Sequence, residues 1–479
     1  MKDLAIIGAG ICGAAVAYEA SQYDLDVCVI EEKNDAAMGT TRANSAVIHA
    51  GYDPPPGTLM AQTNVRGNEL AGEICARLGV HFKRVGSLVV ALNEQEKRTV
   101  EALYARGVQN GVRGMRLLDA AAAQKKEPHI NPDVVCALFA PSAGIVNPWQ
   151  YCIAMCNFAQ VNGTQFFMES PVRSIERIEG GFRIGAGAHI VEARCVVNAA
   201  GLYADRVNAL IGGDEFHVRP VRGEYYLLDK AQGDYVGSVV FPCPSKAGKG
   251  ALVAPTVHGN LIVGPNAEPI GDPADTATTL AGQDDVRALV QRTVPGIVFR
   301  DNIRNFAGNR AYIIEQEDFY LAASPRAHGF INMAGIKSPG LTSAPALAEL
   351  ALGLLAAAGL PLRRKTEIHE YRFPTLLRDM SAQQQTEKIM QDPRYARVIC
   401  RCETVTEGDI AAALADGFTP PTVSAVKRRC NAGMGRCQGG FCSMRVHEII
   451  ARERNIPPEA VTLDGPGSYI ILGGTKEEL

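Results

Sequence analysis

The sequence predicts an α/β fold: a parallel sheet flanked by helices, an antiparallel-sheet domain beside it, and a small helical module at the C-terminus. Three observations carry this. A strand, a glycine turn and a helix succeed one another over residues 4–20, and the same order returns at 195–207 and at 330–350. Between the returns, residues 216–318 are rich in short strands parted by proline and glycine. Five of the thirteen cysteines fall between Cys400 and Cys442.

The opening element is an apolar strand, 4–7, running into Gly8-x-Gly10-x-x-Gly13 and an alanine-rich helix. Such glycines let a pyrophosphate approach the helix amides, the Rossmann-like arrangement. A second strand, 26–30, ends at Glu31, close to the ~20-residue offset at which a carboxylate meets a ribose hydroxyl. The loop 38–57, dense in Gly, Thr, Ser and Asn and closed by three prolines, suits a backbone lying along a ligand.

Residues 57–127 read as an insertion, helical over 68–78 and 93–110 with a strand at 85–92. Residues 134–159 read as strand, turn and a helix starting near Pro148, with the sole tryptophan, Trp149, as a packing anchor. Alternating segments at 164–168, 172–178, 182–184 and 190–195 lead to the turn at 198–201. The apolar run 344–360 carries Glu349 and is shorter than the ~20 residues of a span, so a buried helix is expected. After Pro361 the chain becomes charged and linker-like until a new module starts near Ile399.

A hydrophobic content of 47% with 21% charged residues suits a soluble globular protein, and a net charge of -3 argues against a nucleic-acid reader. The first strand begins at Leu4 with no secretory signal pattern, so a cytoplasmic protein is expected, with any membrane association made through a partner. Thirteen cysteines there are thiols or metal ligands rather than disulfides.

The order of GxGxxG, Glu31, TTRANS, a late NAAG and a final GIKSPGLTSAP resembles the D-amino-acid-oxidase superfamily of FAD-dependent oxidoreductases, in particular its glycerol-3-phosphate and 2-hydroxyglutarate dehydrogenase branch. The resemblance covers about residues 1–360. It implies FAD, with Gly8, Ala9, Gly10 and Gly13 on the pyrophosphate, Glu31 and Glu32 at the adenosine ribose, and Thr40, Thr41, Asn44 and Ser45 along the isoalloxazine. It also implies Val172 at the adenine, Ala200 and Gly201 near the ribityl-pyrophosphate, and Gly335, Ile336, Gly340, Leu341 and Thr342 closing over the flavin.

Oxidising an alcohol by hydride transfer needs a base for the hydroxyl proton, and histidine suits that task. The run His49-Ala50-Gly51-Tyr52 matches the HAGY sequence whose histidine has this role in the resembling glycerol-phosphate enzymes. An anionic substrate needs an anchor at its unreactive end; Arg310 and Lys337, with Arg222 third, are the candidates, each also readable as a surface charge.

Cys400, Cys402, Cys437 and Cys442 form C-x-C and C-x4-C pairs 34 residues apart, unlike the C-x2-C pairs of a zinc ribbon. They resemble the 2Fe-2S domain of bacterioferredoxin-associated ferredoxin, in the version fused to anaerobic glycerol-3-phosphate dehydrogenase-like flavoproteins. Zinc and inert thiols are the alternatives. Four thiolates, two sulfides and two ferric irons carry a charge of -2, which Arg401, Lys427, Arg428, Arg429 and Arg436 would offset. Gly433, Gly435, Gly439 and Gly440 would let amides reach sulfur. Thr406 with Asp409 reads as a helix cap. Cys430 is the spare, and the other eight cysteines read as core.

Flavin takes two electrons and an iron-sulfur centre passes one, so the pair implies a dehydrogenase that sends electrons to an outside protein or quinone-linked subunit. The expected substrate is an anionic secondary alcohol, sn-glycerol 3-phosphate first and L-2-hydroxyglutarate or another 2-hydroxy acid second. Amine oxidation and a non-catalytic electron-transfer subunit are the other readings. The expected domains are 1–362 for flavin and substrate (flavin parts 1–80, 145–215 and 325–362; substrate parts 81–144 and 216–324), 363–397 as linker, 398–454 for the cluster and 455–479 as tail.

Overall fold

The computed structural model describes residues 1–244 and 250–474. It forms two compact units, 1–32 with 36–370 and 33–35 with 371–479.

In the first unit the opening strand Lys2–Ile7 is central, paired in parallel with Val27–Ile30 on one side and His189–Asn198 on the other. Gln165–Phe167 extends the sheet beyond Val27–Ile30, and Phe330–Ala334 pairs in parallel with His189–Asn198. Both later returns of the chain therefore join the opening strand's sheet. Val27–Ile30 and Phe330–Ala334 are buried at every residue, as parallel strands covered on both faces must be. Val172–Ile178 and Gly181–Ala186 form an antiparallel hairpin at one edge.

The helix Gly340–Ala357 is long and apolar enough to cross a membrane by length and composition, yet it packs in the core against Ile11–Ala20 and Leu59–Leu78. Gly67 permits the contact: a Cβ there would lie 2.1 Å from the Thr342 carbonyl oxygen. The helix Leu59–Leu78 starts nine residues earlier than expected, capped by the Thr58 side chain and ended by Gly79 at φ 70°. Its buried Thr63, Asn64 and Asn68 interrupt the apolar period that marks a helix in sequence.

The second sheet of this unit centres on the long antiparallel pair Val218–Leu228 and Asn302–Ile313. Ser87–Ala91 and Cys136–Ala140 pair antiparallel within the same sheet, so the stretch that reads as an insertion also supplies its strands. Ser87–Ala91 runs parallel to Val239–Pro242, the one parallel pair in this sheet among the described residues.

The C-terminal unit pairs Val398–Cys400 with Val405–Thr406 and packs the helices Glu407–Leu414, Val423–Cys430 and Ser443–Arg454 around Val405, Ile410, Val426, Val446 and Ile450. Thr406 and Asp409 form the reciprocal cap expected of them.

Candidate active site and metal centre

The glycine turn is built by close approach. Gly8 has φ +105°, and a Cβ on Gly13 would lie 1.8 Å from the Gly8 carbonyl oxygen, so only hydrogen fits where helix meets strand. Gly10 is the N-cap of Ile11–Ala20, and the Ile11 amide donates to Thr41 Oγ1 at 3.0 Å. Glu31 Oε2 accepts from the Ala9 amide at 2.6 Å, which sets its carboxylate at this turn, while Glu32 is exposed.

Around the turn the backbone stays open. A Cβ on Gly39 or on Gly201, at φ +57°, would meet nothing within 4 Å. Ala200 caps the short turn Gly201–Tyr203, and Val172 packs at the rim of the sheet's core. The helix Pro148–Val161 packs against the Thr40–Arg42 turn, and Trp149 in its first turn has a buried indole N–H with no partner. A helix N-terminus opened by glycines, free backbone beside it and an orphaned donor fit FAD.

The loop that follows is pinned rather than solvated. Thr40 Oγ1 donates to the Asn309 carbonyl at 2.6 Å. The Asn44 side chain donates to the Thr41 carbonyl and accepts from the Ala46 amide, both at 2.8 Å. Ser45 Oγ lies 3.3 Å from the Tyr225 hydroxyl, so the loop faces the second sheet.

His49 is held by its backbone. Its amide donates to Thr342 Oγ1 at 2.9 Å, and its carbonyl accepts from Asn64 Nδ2 at 2.8 Å and Asn68 Nδ2 at 2.9 Å. Its Nε2 lies 3.3 Å from Ser338 Oγ, with the Phe241 ring 5.9 Å from the imidazole. Gly335, at φ +67°, turns the chain so that Lys337 and Ser338 precede the helix that begins at Gly340; Ile336 lies against Gly340, Leu341 is half-buried and Thr342 is buried. Ser338, Asn64 and Asn68 are the residues missed from sequence. Ser338 stands inside the GIKSPG run, and the two asparagines are the polar exceptions in an otherwise packed helix.

The three cations go different ways. Arg310 donates to the carbonyls of Val221, Arg222 and Asn266, and its Nη1 makes no hydrogen bond among the described residues. It lies beside Tyr225, whose hydroxyl burial pushes up in pKa while the Arg310 charge opposes that rise. Lys337 Nζ is 2.6 Å from Glu317 Oε2 and 4.1 Å from the Tyr312 ring centre, so the structure gives it a carboxylate of its own chain. Arg222, itself buried, is held by the exposed Glu268 at 2.7 Å and the half-buried Asp275 at 2.8 Å, with the buried Glu224 at 3.6 Å. The segment 245–249 lies outside the described residues.

In the C-terminal unit the four cysteines come together in pairs. Cys402 Sγ is 3.7 Å from Cys437 Sγ, near the ~3.8 Å expected of two thiolates on one tetrahedral metal with ~2.3 Å bonds. Cys400 and Cys442 are buried, and the hydrogen bond they share lowers the Cys400 thiol while raising that of Cys442; the Gly433 amide, 3.5 Å from the Cys400 sulfur, also favours its thiolate. Cys437 is held low by the Phe441 amide, with the Gly439 amide adding. Amides aimed at sulfur are what an anionic cluster requires. Among the described residues no three His, Cys, Asp or Glu side chains converge as a single-ion site needs. Paired sulfurs fit a two-iron centre.

Two of the arginines expected to offset the cluster charge are committed elsewhere. Arg428 pairs with Asp35 and Asp464, and Arg429 with Asp35 and Asp416, all at 2.7–3.0 Å. Cys430 is fully buried, pushed up to about 12 by burial, and donates to the Val426 carbonyl.

Residues 3–354 match the family model for FAD dependent oxidoreductases, and 398–452 match that for BFD-like 2Fe-2S binding domains. A glycerol 3-phosphate dehydrogenase of Caloramator mitchellensis is 44% identical over 481 residues, covering 100% of both chains. A glycerol 3-phosphate oxidase of Mycoplasma genitalium is 32% identical over 76% of this chain and 96% of its own. The solved L-alpha-glycerophosphate oxidase of Mycoplasma pneumoniae with FAD bound has a TM-score of 0.74 at 31% identity, covering 78% of this chain and 99% of that one.

Proposed function

The chain belongs to the FAD dependent oxidoreductase family and ends in a BFD-like 2Fe-2S domain, and from this premise we propose that it is a dehydrogenase oxidising sn-glycerol 3-phosphate to dihydroxyacetone phosphate. The observation that carries this reading is the full-length match to a glycerol 3-phosphate dehydrogenase, the cysteine module included. FAD when bound accepts the hydride, and the 2Fe-2S centre passes electrons singly.

His49 takes the proton of the reacting hydroxyl at Nε2, that hydroxyl replacing Ser338 Oγ at the nitrogen's single lone pair. Its backbone is fixed on both sides by Thr342, Asn64 and Asn68, so the ring turns about a rigid anchor and Ser338 sets its plane. Arg310, with Nη1 unengaged, binds the phosphate end, and the Ser45–Tyr225 pair lines the space between. Lys337 keeps its Glu317 partner and shapes the turn that carries Ser338. Glu31 and the turn glycines hold the cofactor, and Cys400, Cys402, Cys437 and Cys442 hold the cluster. None of the thirteen cysteines is in a disulfide, which suits a reducing, cytoplasmic compartment. The acceptor is an external protein.

The test is flavin bleaching under anaerobic conditions with sn-glycerol 3-phosphate, L-2-hydroxyglutarate and glycine in parallel. Fast bleaching by sn-glycerol 3-phosphate alone is expected. Preference for either other compound, or no bleaching by any, contradicts the reading.

A further inference from the structure

The C-terminal unit exposes apolar side chains where its cluster ligands reach the surface. Phe441 is 87% exposed and Met444 48%, and the two flank Cys442 in the chain. Phe441 follows Cys437 by four residues and directly precedes Cys442, so its ring is carried on the backbone between two ligand positions. Cys402, 3.7 Å from Cys437, is itself exposed. A large apolar side chain held outward beside a functional group marks a surface that another molecule covers.

The exposed charged residues next to these positions in the chain are basic, while Glu403 beside Cys402 is buried and paired with Arg378. Arg401 adjoins Cys402, Arg436 adjoins Cys437 and Arg445 adjoins Met444, and all three are exposed. Other arginines of the unit have carboxylate partners: Arg378 with Glu403, Arg394 with Asp392, Arg428 with Asp35, Arg429 with Asp416 and Arg452 with Glu407. Arg401, Arg436 and Arg445 have no ion-pair partner among the described residues. An aromatic centre with a charged rim is the anatomy of a protein interface, and a rim of one sign selects a partner of the other.

We propose that this face docks the electron acceptor, and that the acceptor is an acidic one-electron carrier protein. Its carboxylates meet Arg401, Arg436 and Arg445, and an apolar spot covers Phe441 and Met444. The proposal rests on the dehydrogenase reading above. For each secondary alcohol oxidised to its ketone, two carriers each gain one electron and two protons go to solvent.

The experiment uses the full-length protein with FAD and cluster in place, reduced by stoichiometric dithionite, so that it does not depend on the substrate assignment. The reduced protein is mixed with the acidic soluble haem domain of a b-type cytochrome, with a basic c-type cytochrome, or with a water-soluble quinone. The acidic haem domain is expected to be reduced about tenfold faster than the basic cytochrome at low salt, the advantage falling away as added salt screens the rim. Arg445→Glu and Phe441→Ala are each expected to slow that transfer about fivefold, by lost steering and lost anchoring. The cluster's absorption and paramagnetic signal should be unchanged, which reports that both variants fold. Faster reduction of the basic cytochrome, a rate indifferent to salt, two variants that react like the parent, or reduction of the quinone alone would overturn the proposal. Substrate-driven bleaching tests the dehydrogenase reading separately.

Discussion

The hydroxyl of Ser338 lies 3.3 Å from Nε2 of His49, although 289 positions part them in the chain. With His49 as the proposed base, this contact would make Ser338 its positioning residue. His49→Gln should slow flavin reduction by at least ~100-fold, the ordinary range for a lost general base. Ser338→Ala should slow it less, by about tenfold, and move the pH profile of the reductive step, because the imidazole loses a hydrogen-bond partner. Rapid-mixing measurements across pH check both; a Ser338→Ala profile that coincides with the parent's would remove Ser338 from this role.

Asn64 and Asn68 both donate to the carbonyl of His49, and both are buried. Replacing Asn68 with Leu removes three hydrogen bonds, those to the His49 and Ser142 carbonyls and the one its Oδ1 accepts from Arg84 Nη1. A loss of about 1–3 kcal/mol in denaturant unfolding is expected, since a buried hydrogen bond contributes about 0.5–1.5 kcal/mol. Flavin reduction should slow in parallel, since the anchor of the base is loosened.

Gly13→Ala would place a methyl 1.8 Å from the Gly8 carbonyl oxygen. The helix cannot then start where the turn delivers it. The purified variant should lack the yellow flavin absorption, and its C-terminal cluster absorption should persist.

Asp35 is fully buried between Arg428 and Arg429. Burial alone would raise its carboxyl, but the charges of Arg429 and Arg428 hold it below the ordinary carboxylate value. A carboxyl lowered in the folded state contributes stability above its unfolded pKa, and that stability is lost as pH falls through the folded one. Acid titration should therefore leave the C-terminal unit intact down to the ordinary carboxylate range and unfold it below. Asp35→Asn should cost about 3–5 kcal/mol at neutral pH, because two buried guanidinium groups lose their shared carboxylate.

Cys402→Ser should abolish the cluster absorption, since its sulfur stands 3.7 Å from Cys437, whereas Cys430→Ser should retain it. Iron content and visible spectra of the two purified variants check this.

The parallel sheet, the glycine turn and the cysteine pairs were legible because spacing alone carries them: Gly8, Gly10 and Gly13 stand at fixed offsets, as do Cys400 and Cys402. The HAGY run singles out His49, and its role as the base is the proposal that the His49→Gln kinetics test. The partners of charged side chains were not. Lys337 and Arg310 look alike as cations near the flavin segments, and only the fold gives Lys337 to Glu317 while leaving Arg310 Nη1 unengaged. Asp35 follows the nucleotide strand in sequence but belongs with the C-terminal unit, a placement that no local pattern encodes. Polar residues buried in a helix, as at Asn64 and Asn68, erase the very periodicity by which that helix would be found.

In the proposed function, electrons from an anionic alcohol enter the flavin with His49 as base and reach the cysteine module of the same chain. Anaerobic addition of sn-glycerol 3-phosphate to the full-length protein, followed at once by flavin absorption and by the paramagnetic signal of the reduced cluster, measures this most directly. The expected result is bleaching of the flavin with appearance of the cluster signal, both lost in His49→Gln. An intact, fully loaded protein whose flavin stays oxidised with sn-glycerol 3-phosphate, or whose His49→Gln variant bleaches at the parent's rate, would contradict it.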